Sequence, residues 1–326
     1  MPFDRIPVID LADIKSSDTN LRHALAKQVR NACINVGFFY VKNHGISEDV
    51  ISETVNMSAQ FFNLPSESKM KVDNKQTTNF KGYAPLRDRN KNGKRSGRLH
   101  EAFQFGWEVI EKETEEVRGE EMDGVMTGAN IWPTDVPNFR EAMLRYYHAG
   151  VQLGKLLLPI FALALELPED YFADKTRNSA AMMSILHYPP QTGDDIDDPF
   201  IGIGSHTDFE CFTILWQQPG LQALQVLNSD DKWIDVPPRE GTLVINIGDQ
   251  LARWTNDVFK STVHRALNYK GVRRYSIPLF FGTDYNVKLE PIPTCVSSTR
   301  PPKYDVVTAG EHVKSKLQAL YGKKSQ

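Results

Sequence analysis

Apolar positions recur at helical spacing near the start of the chain, where Leu21, Leu25, Val29 and Ala32 fall on one face of residues 18–35. A short apolar run from Gly37 to Val41 then reads as a strand. A second helical pattern over about 47–63 stops at Leu64-Pro65, because proline has no amide hydrogen with which to continue a helix. A longer pattern, about 138–167, runs through Met143, Tyr147, Val151, Leu157, Ile160 and Phe161 and is expected to bend near Pro159. Between 180 and 284 the period shortens to that of strands separated by turns: MMSILHYP, FTILWQQ, LQALQVL, WIDVP, GTLVINIG, STVHRALNY and RYSIPLFFG. One more helix is expected at about 308–321. The pattern predicts a mainly β protein, a sandwich or barrel with flanking helices. Residues 81–98, rich in Gly, Arg, Lys and Asn without periodicity, read as a mobile, solvated surface loop.

Composition changes this picture little. At 326 residues, 40% apolar and 24% charged, the chain has the balance of an ordinary globular protein and can bury a large core. A net charge of -3 gives no electrostatic reason to expect nucleic acid or an anionic membrane as partner. Cys33, Cys211 and Cys295 are odd in number and far apart, which excludes a disulfide framework and a Cys-x-x-Cys metal site. Reduced thiols and a cytoplasmic location are therefore expected. The N-terminus lacks a charged segment followed by an apolar one, and no unbroken apolar stretch of about 18 residues occurs, so neither secretion nor membrane spanning is expected. The sequon Asn56-Met57-Ser58 then reads as a chance match within a helix.

The candidate chemistry lies in IGIGSHTDFECFTILWQQ, where His206 and Asp208 stand two residues apart at a strand edge and point to one side. His264, in STVHRALNY, is the candidate third member. Two histidines and a carboxylate on one face of an octahedron are the pattern of non-haem Fe(II) oxygenases. The same donors suit hydrolytic zinc, and a purely structural histidine pair is a further reading. Arg274 and Ser276 share a strand face and offer the guanidinium and hydroxyl that a buried carboxylate requires, which zinc hydrolysis leaves unexplained. Ser205 cannot relay protons with its neighbour His206, since adjacent strand residues face opposite ways. Gly202 and Gly204 lack the third glycine of a dinucleotide fingerprint. His187 points away from its neighbour Tyr188 and reads as structural; Asp249 reads as a turn residue. Phe209 and Phe280, apolar positions near the candidate ligands, are expected to face inward and line a substrate pocket, the alternative being that they are only core.

IPVIDLADI…ACINVGFFYVKNHGI in the first part of the chain, and SHTD…GLQAL…GTLVINIGDQLARWTND…KSTVHRA…RRYSIPLFF in the second, resemble the isopenicillin N synthase-like branch of the iron(II)/2-oxoglutarate dioxygenases. The resemblance covers nearly the whole chain and is nearest in look to fungal thymine hydroxylases and secondary-metabolite tailoring enzymes. It implies a double-stranded β-helix, or jelly roll, wrapped by helices: an N-terminal region 1–175, a core 176–285 and a C-terminal extension 286–326 in one compact unit. It implies that His206, Asp208 and His264 hold Fe(II), that Arg274 and Ser276 receive the distal carboxylate of 2-oxoglutarate, and that Tyr188 assists. Glu101 matches a position that often faces the active site in this branch; a solvated strand position is the alternative. Leu186 departs from the asparagine that many plant relatives carry two residues before that tyrosine. The implied reaction uses O₂ to convert 2-oxoglutarate to succinate and CO₂ while a C–H bond of a small, flat or aromatic metabolite is hydroxylated, desaturated or rearranged. A 2-oxoglutarate-independent oxidase and a non-catalytic small-ligand binder are the alternatives, and a monomer or weak homodimer is expected.

Overall fold

Asp18 caps the first helix, α1 (Thr19–Asn35), by accepting from the Asn20 amide at 2.8 Å, and Leu25, Val29 and Ala32 lie buried along one side. Strand β1 (Val8–Asp10) precedes it and β2 (Phe38–Lys42) follows. Ser47 caps α2 (Glu48–Phe62), whose first turn carries Glu48 and Asp49 where the helix dipole favours negative charge. Pro65 opens the short α3 (Ser66–Met70). Strands β3 (Gly82–Ala84) and β4 (Glu101–Gly106) come before the long helix α4 (Phe139–Ala164), which continues through Pro159. The computed structural model describes residues 2–77, 79–86, 99–110, 128–191, 199–269 and 271–321. The loop expected over 81–98 thus begins as a strand, and its residues 87–98 lie outside the described ones.

The second half contains β5 (Ala181–Tyr188), β6 (Phe200–His206), β7 (Phe212–Gln217), β8 (Leu224–Leu227), β9 (Trp233–Asp235) and β10 (Thr242–Ile247). A short helix α5 (Asp249–Trp254), strands β11 (His264–Asn268) and β12 (Arg274–Phe281), and helix α6 (Ala309–Tyr321) complete it. The chain alternates between two sheets as it proceeds. One has eight strands in the order β1-β2-β10-β7-β12-β5-β4-β3, the other four in the order β6-β11-β8-β9. This winding is the expected jelly roll. The N-terminal strands are continuous with it: β1 and β2 extend one edge of the larger sheet, β4 and β3 the other.

Strand alternation gives the larger sheet two unlike faces. On the outer face Phe103, Phe105, Met183, Ile185, Ile214, Ile277, Leu279 and Phe281 join the apolar sides of α1, α2 and α4 in one large core, with Phe281 stacked on Phe212 at 4.9 Å. Among the described residues α4 is the one helix long and apolar enough to cross a membrane by length and composition, although no unbroken apolar run marks it in the sequence; 61% of that stretch is buried in this core. The inner face looks toward the smaller sheet. Its apolar filling is a separate, smaller cluster around Phe38, Tyr40, Val244, Leu224, Val226 and Val236. That cluster is carried mainly by β2, β8 and β10, with Val236 just past β9 and Leu215 of β7 at its margin, so most of the strip formed by β7, β12 and β5 is left to carry polar side chains between the sheets.

Candidate metal centre

Strand pairing brings the histidines together. His206 ends β6, His264 begins β11, and the two are register partners with ring centroids 4.2 Å apart. Asp208 is not on the strand but two residues past it, in the turn that leads to β7. The larger sheet fixes its carboxylate from the other side: Oδ2 accepts from Thr213 Oγ1 at 2.5 Å and from Asn246 Nδ2 at 2.7 Å. Oδ1 is left facing His206 Nε2 at 3.6 Å and His264 Nε2 at 3.7 Å. The donor atoms of all three residues lie within 4.8 Å of one another.

Hydrogen bonding also sets the imidazoles for a cation. His206 Nδ1 lies 2.8 Å from the Gly204 carbonyl and His264 Nδ1 lies 3.1 Å from that of Thr262. A carbonyl can only accept, so the proton sits on Nδ1 and each Nε2 presents its lone pair to the common centre. Burial favours the neutral form of His264 and lowers its pKa, against the opposing pull of Asp208. Burial by itself would raise Asp208, but positive charge beside it, where His264 and His206 face it, and the bonds from Thr213 and Asn246 outweigh burial and hold the carboxyl below its ordinary value. Two neutral imidazoles and one ionised carboxylate, with no cysteine among them, fit a divalent iron with open positions.

A second group of polar atoms lies along the same inner face. Arg274, only 2% exposed, has Nε and Nη1 without hydrogen-bond partners among the described residues. Its guanidinium stands 4.8 Å above the ring of Tyr188, its register partner on β5. The Tyr188 hydroxyl is buried beside Arg274 and Ser276 and makes no well-formed hydrogen bond among the described residues. Ser276, two residues along β12, shares the face and sits opposite Leu186 on one side and Gln217 on the other. Leu186, the departure from the plant pattern, therefore faces the same space. Gly202 is required where Tyr188 reaches the smaller sheet, since a Cβ there would lie 2.7 Å from the tyrosine ring. A buried guanidinium with unused donors is costly unless an anion completes it.

The sequence matches two family models, the N-terminal region of non-haem dioxygenases of the morphine-synthesis type over residues 6–135 and the 2OG-Fe(II) oxygenase superfamily over residues 179–283. A 2-oxoglutarate-Fe(II) type oxidoreductase of Emericella nidulans is 34% identical over 97% of this chain and 90% of its own. The chain belongs to the 2OG-Fe(II) oxygenase superfamily. Another relative of this oxygenase, a homoarginine-6-hydroxylase of Glycine max, is 32% identical with 97% of each chain covered. A Neurospora crassa protein crystallised with alpha-KG and thymine superposes with a TM-score of 0.83 at 28% identity, covering 97% of both chains. Fe(II), 2-oxoglutarate and O₂ are the reactants of this superfamily, and the His206, Asp208 and His264 cluster supplies a matching donor set.

Not every expected site residue of the oxygenase faces this space. Glu101 lies on the outer face, paired with His187, whose ring stacks on Tyr275 at 4.9 Å beneath Phe62. Its carboxylate accepts from Lys69 Nζ at 2.7 Å, from the Tyr83 hydroxyl and from His187 Nδ1 at 2.7 Å. This corrects the expectation that Glu101 lines the pocket: strand parity turns it toward the helices. The structural reading of His187 fits this network. Phe280 does share the inner face, opposite Thr213, while Phe209 is half-buried in the turn beside Asp208.

Four residues that sequence reasoning passed over belong to the centre's surroundings. Thr213 and Asn246 orient Asp208. Asp249, expected in a turn, instead opens α5 and ties the turn that carries Asp208 to two other segments, accepting from Thr207 Oγ1 at 3.1 Å, Ser261 Oγ at 2.6 Å and Lys316 Nζ at 2.6 Å. The fourth is Glu210, whose Oε2 is buried without a partner among the described residues; burial pushes its carboxyl up to about 8.

Proposed function

We propose that His206, Asp208 and His264 hold iron(II), and that Arg274, helped by Ser276 and Tyr188, receives the distal carboxylate of 2-oxoglutarate. The protein is a 2-oxoglutarate-dependent dioxygenase that hydroxylates or otherwise oxidises a small metabolite. The observation that carries the residue assignment is the buried Arg274 guanidinium, with two nitrogens unpartnered among the described residues, on the same sheet face that holds Asp208.

Bound iron, with 2-oxoglutarate and O₂, supplies the oxidising power: one oxygen atom goes to succinate as CO₂ leaves, the other to the substrate C–H. The residues of this chain position and insulate. Arg274 neutralises the distal carboxylate and, with the Ser276 hydroxyl, fixes its direction. Burial raises the Tyr188 phenol above its ordinary range, so it stays protonated and donates. Phe280, and Phe209 beside Asp208, present apolar surface next to the metal-facing groups and exclude water from the reacting C–H. Substrates named for the relatives include homoarginine and, as a crystallised ligand, thymine; a small nitrogen-containing metabolite is the class we favour here. Residues 1–175, 176–285 and 286–326 are proposed to act as one unit.

Arg274→Ala tests the assignment. The variant should bind Fe(II) as the parent does, while its 2-oxoglutarate requirement rises strongly, since breaking a buried charge-assisted pair costs roughly 2–5 kcal/mol. An unchanged requirement would overturn the carboxylate role.

A further inference from the structure

Glu210 is the buried acid that the proposed chemistry leaves unused. It is 9% exposed, and its Oε2 finds no hydrogen-bond partner among the described residues. A structural carboxylate at such depth normally has partners, as Glu101 has. Nor does it belong to the candidate metal cluster, because among the described residues only His206, Asp208 and His264 bring donor atoms within 4.8 Å of one another.

Its position follows from strand parity. Phe281 and Thr283 both line a small apolar cavity on the helix side of the sheet, with Leu158, Phe161 and Phe172. Gly282, between them, therefore faces inward, in the row that begins with Arg274 and Ser276 and passes through Phe280. A Cβ built on Gly282 would stand 2.2 Å from Glu210 Oε2. The Glu210 carboxyl thus fills the place of a side chain at 282, one step past Phe280. Phe280 is in register with Thr213, whose hydroxyl holds Asp208. Along this row the metal-facing group separates two ends: Arg274 with its unpaired donors at one, Glu210 with its unpaired acceptor at the other. A co-substrate anchored at Arg274 leaves the Glu210 end to the molecule that is oxidised.

We infer that Glu210 is a specificity residue of the substrate pocket, accepting hydrogen bonds from a nitrogen donor of the substrate, a guanidinium or a ring N–H. This inference rests on the iron and 2-oxoglutarate reading proposed above. Nitrogen donors suit it because an N–H of a guanidinium or a ring completes a carboxyl oxygen that has no partner among the described residues.

The test is a calorimetric titration of the anaerobic Fe(II)- and 2-oxoglutarate-loaded protein with two matched pairs. L-homoarginine is set against L-norleucine, and thymine against 1,3-dimethylthymine, the second member of each pair lacking the guanidinium or ring N–H. At least one donor should bind about tenfold or more tightly than its match, a preference that shrinks to about threefold or less in both Glu210→Met and Glu210→Gln. Both variants should melt no lower than the parent, since they remove an unpaired buried acid. Equal binding within each pair, including no binding by any compound, or a preference that survives in both variants, overturns the role of Glu210. Slow succinate formation from 2-oxoglutarate by the same sample separates the two readings: if it persists while the preference is missing, only Glu210 falls. If the protein binds neither Fe(II) nor 2-oxoglutarate, the underlying reading falls and takes this one with it.

Discussion

Two buried glutamates on opposite sides of one sheet behave in opposite ways. Glu101, 5% exposed on the outer face, is held by Lys69, Tyr83 and His187; burial alone would raise its carboxyl, yet these bonds keep it below the ordinary range. Glu210, on the inner side, has no such set, and burial raises it. The difference extends to the strands that carry them. Outer positions of β4, β5 and β12 interlock with α2 and α4 around aromatic pairs, and the two polar atoms they leave without a partner among the described residues, His187 Nε2 and the Tyr275 hydroxyl, belong to rings stacked on each other; inner positions leave Arg274, Tyr188 and Ser184 with such atoms between the sheets. A buried polar group completed by its neighbours stabilises a fold. One left incomplete beside the cluster of His206, Asp208 and His264 marks where a ligand belongs.

If this division is right, inner-face substitutions alter binding and outer-face ones alter stability. The largest effect is expected for Asp208→Ala, which should abolish Fe(II) retention and succinate formation while leaving the melting transition in place. Iron that remains bound would break the assignment. Next comes Glu101→Ala, which leaves the Lys69 ammonium buried beside no carboxylate and should cost about 3–5 kcal/mol in denaturant unfolding. Its 2-oxoglutarate requirement per folded molecule should not move; a large shift would place Glu101 in the binding machinery after all. The milder Glu101→Gln sharpens this by pH. Because the folded carboxyl titrates below the ordinary 4.5, the stability it contributes is complete above that pH and is lost as pH falls through the lower folded value. The gap between parent and variant should therefore close on acidification below 4.5; a constant gap would mean that charge is not what Glu101 contributes. The smallest effect is expected for Thr213→Val, which removes one bond to Asp208 and should weaken Fe(II) binding by about 10- to 100-fold, read by chelator competition. No change would show that Asn246 alone orients the carboxylate.

Much of this was legible in the sequence, and what was missed has a common cause. The spacing of His206 and Asp208, the histidine in a later strand and the Arg-x-Ser pair are local patterns, and the structure gathers the three donors into one cluster. The helices and most strands follow from local periodicity as well. Which face a residue occupies is harder, because β4, β5 and β12 are buried on both sides and carry no clear alternation of apolar and polar positions. Glu101 was placed in the pocket by resemblance, and only its pairing with His187 reveals the outer face. Glu210 depends on a glycine in another strand, Asp249 on a lysine from α6, and Thr213 and Asn246 on the register of β7 against β10. Such relations arise only once distant segments pair.

The central claim is that the inner face forms an iron and 2-oxoglutarate site. Succinate formation from 2-oxoglutarate under air, by the Fe(II)-reconstituted protein beside its Asp208→Ala and Arg274→Ala variants, tests it most directly. The account predicts iron-dependent succinate from the parent, none from Asp208→Ala, and recovery of the Arg274→Ala rate only at much higher 2-oxoglutarate. A folded, iron-loaded parent that forms no succinate, or an Asp208→Ala variant that forms as much, would contradict it.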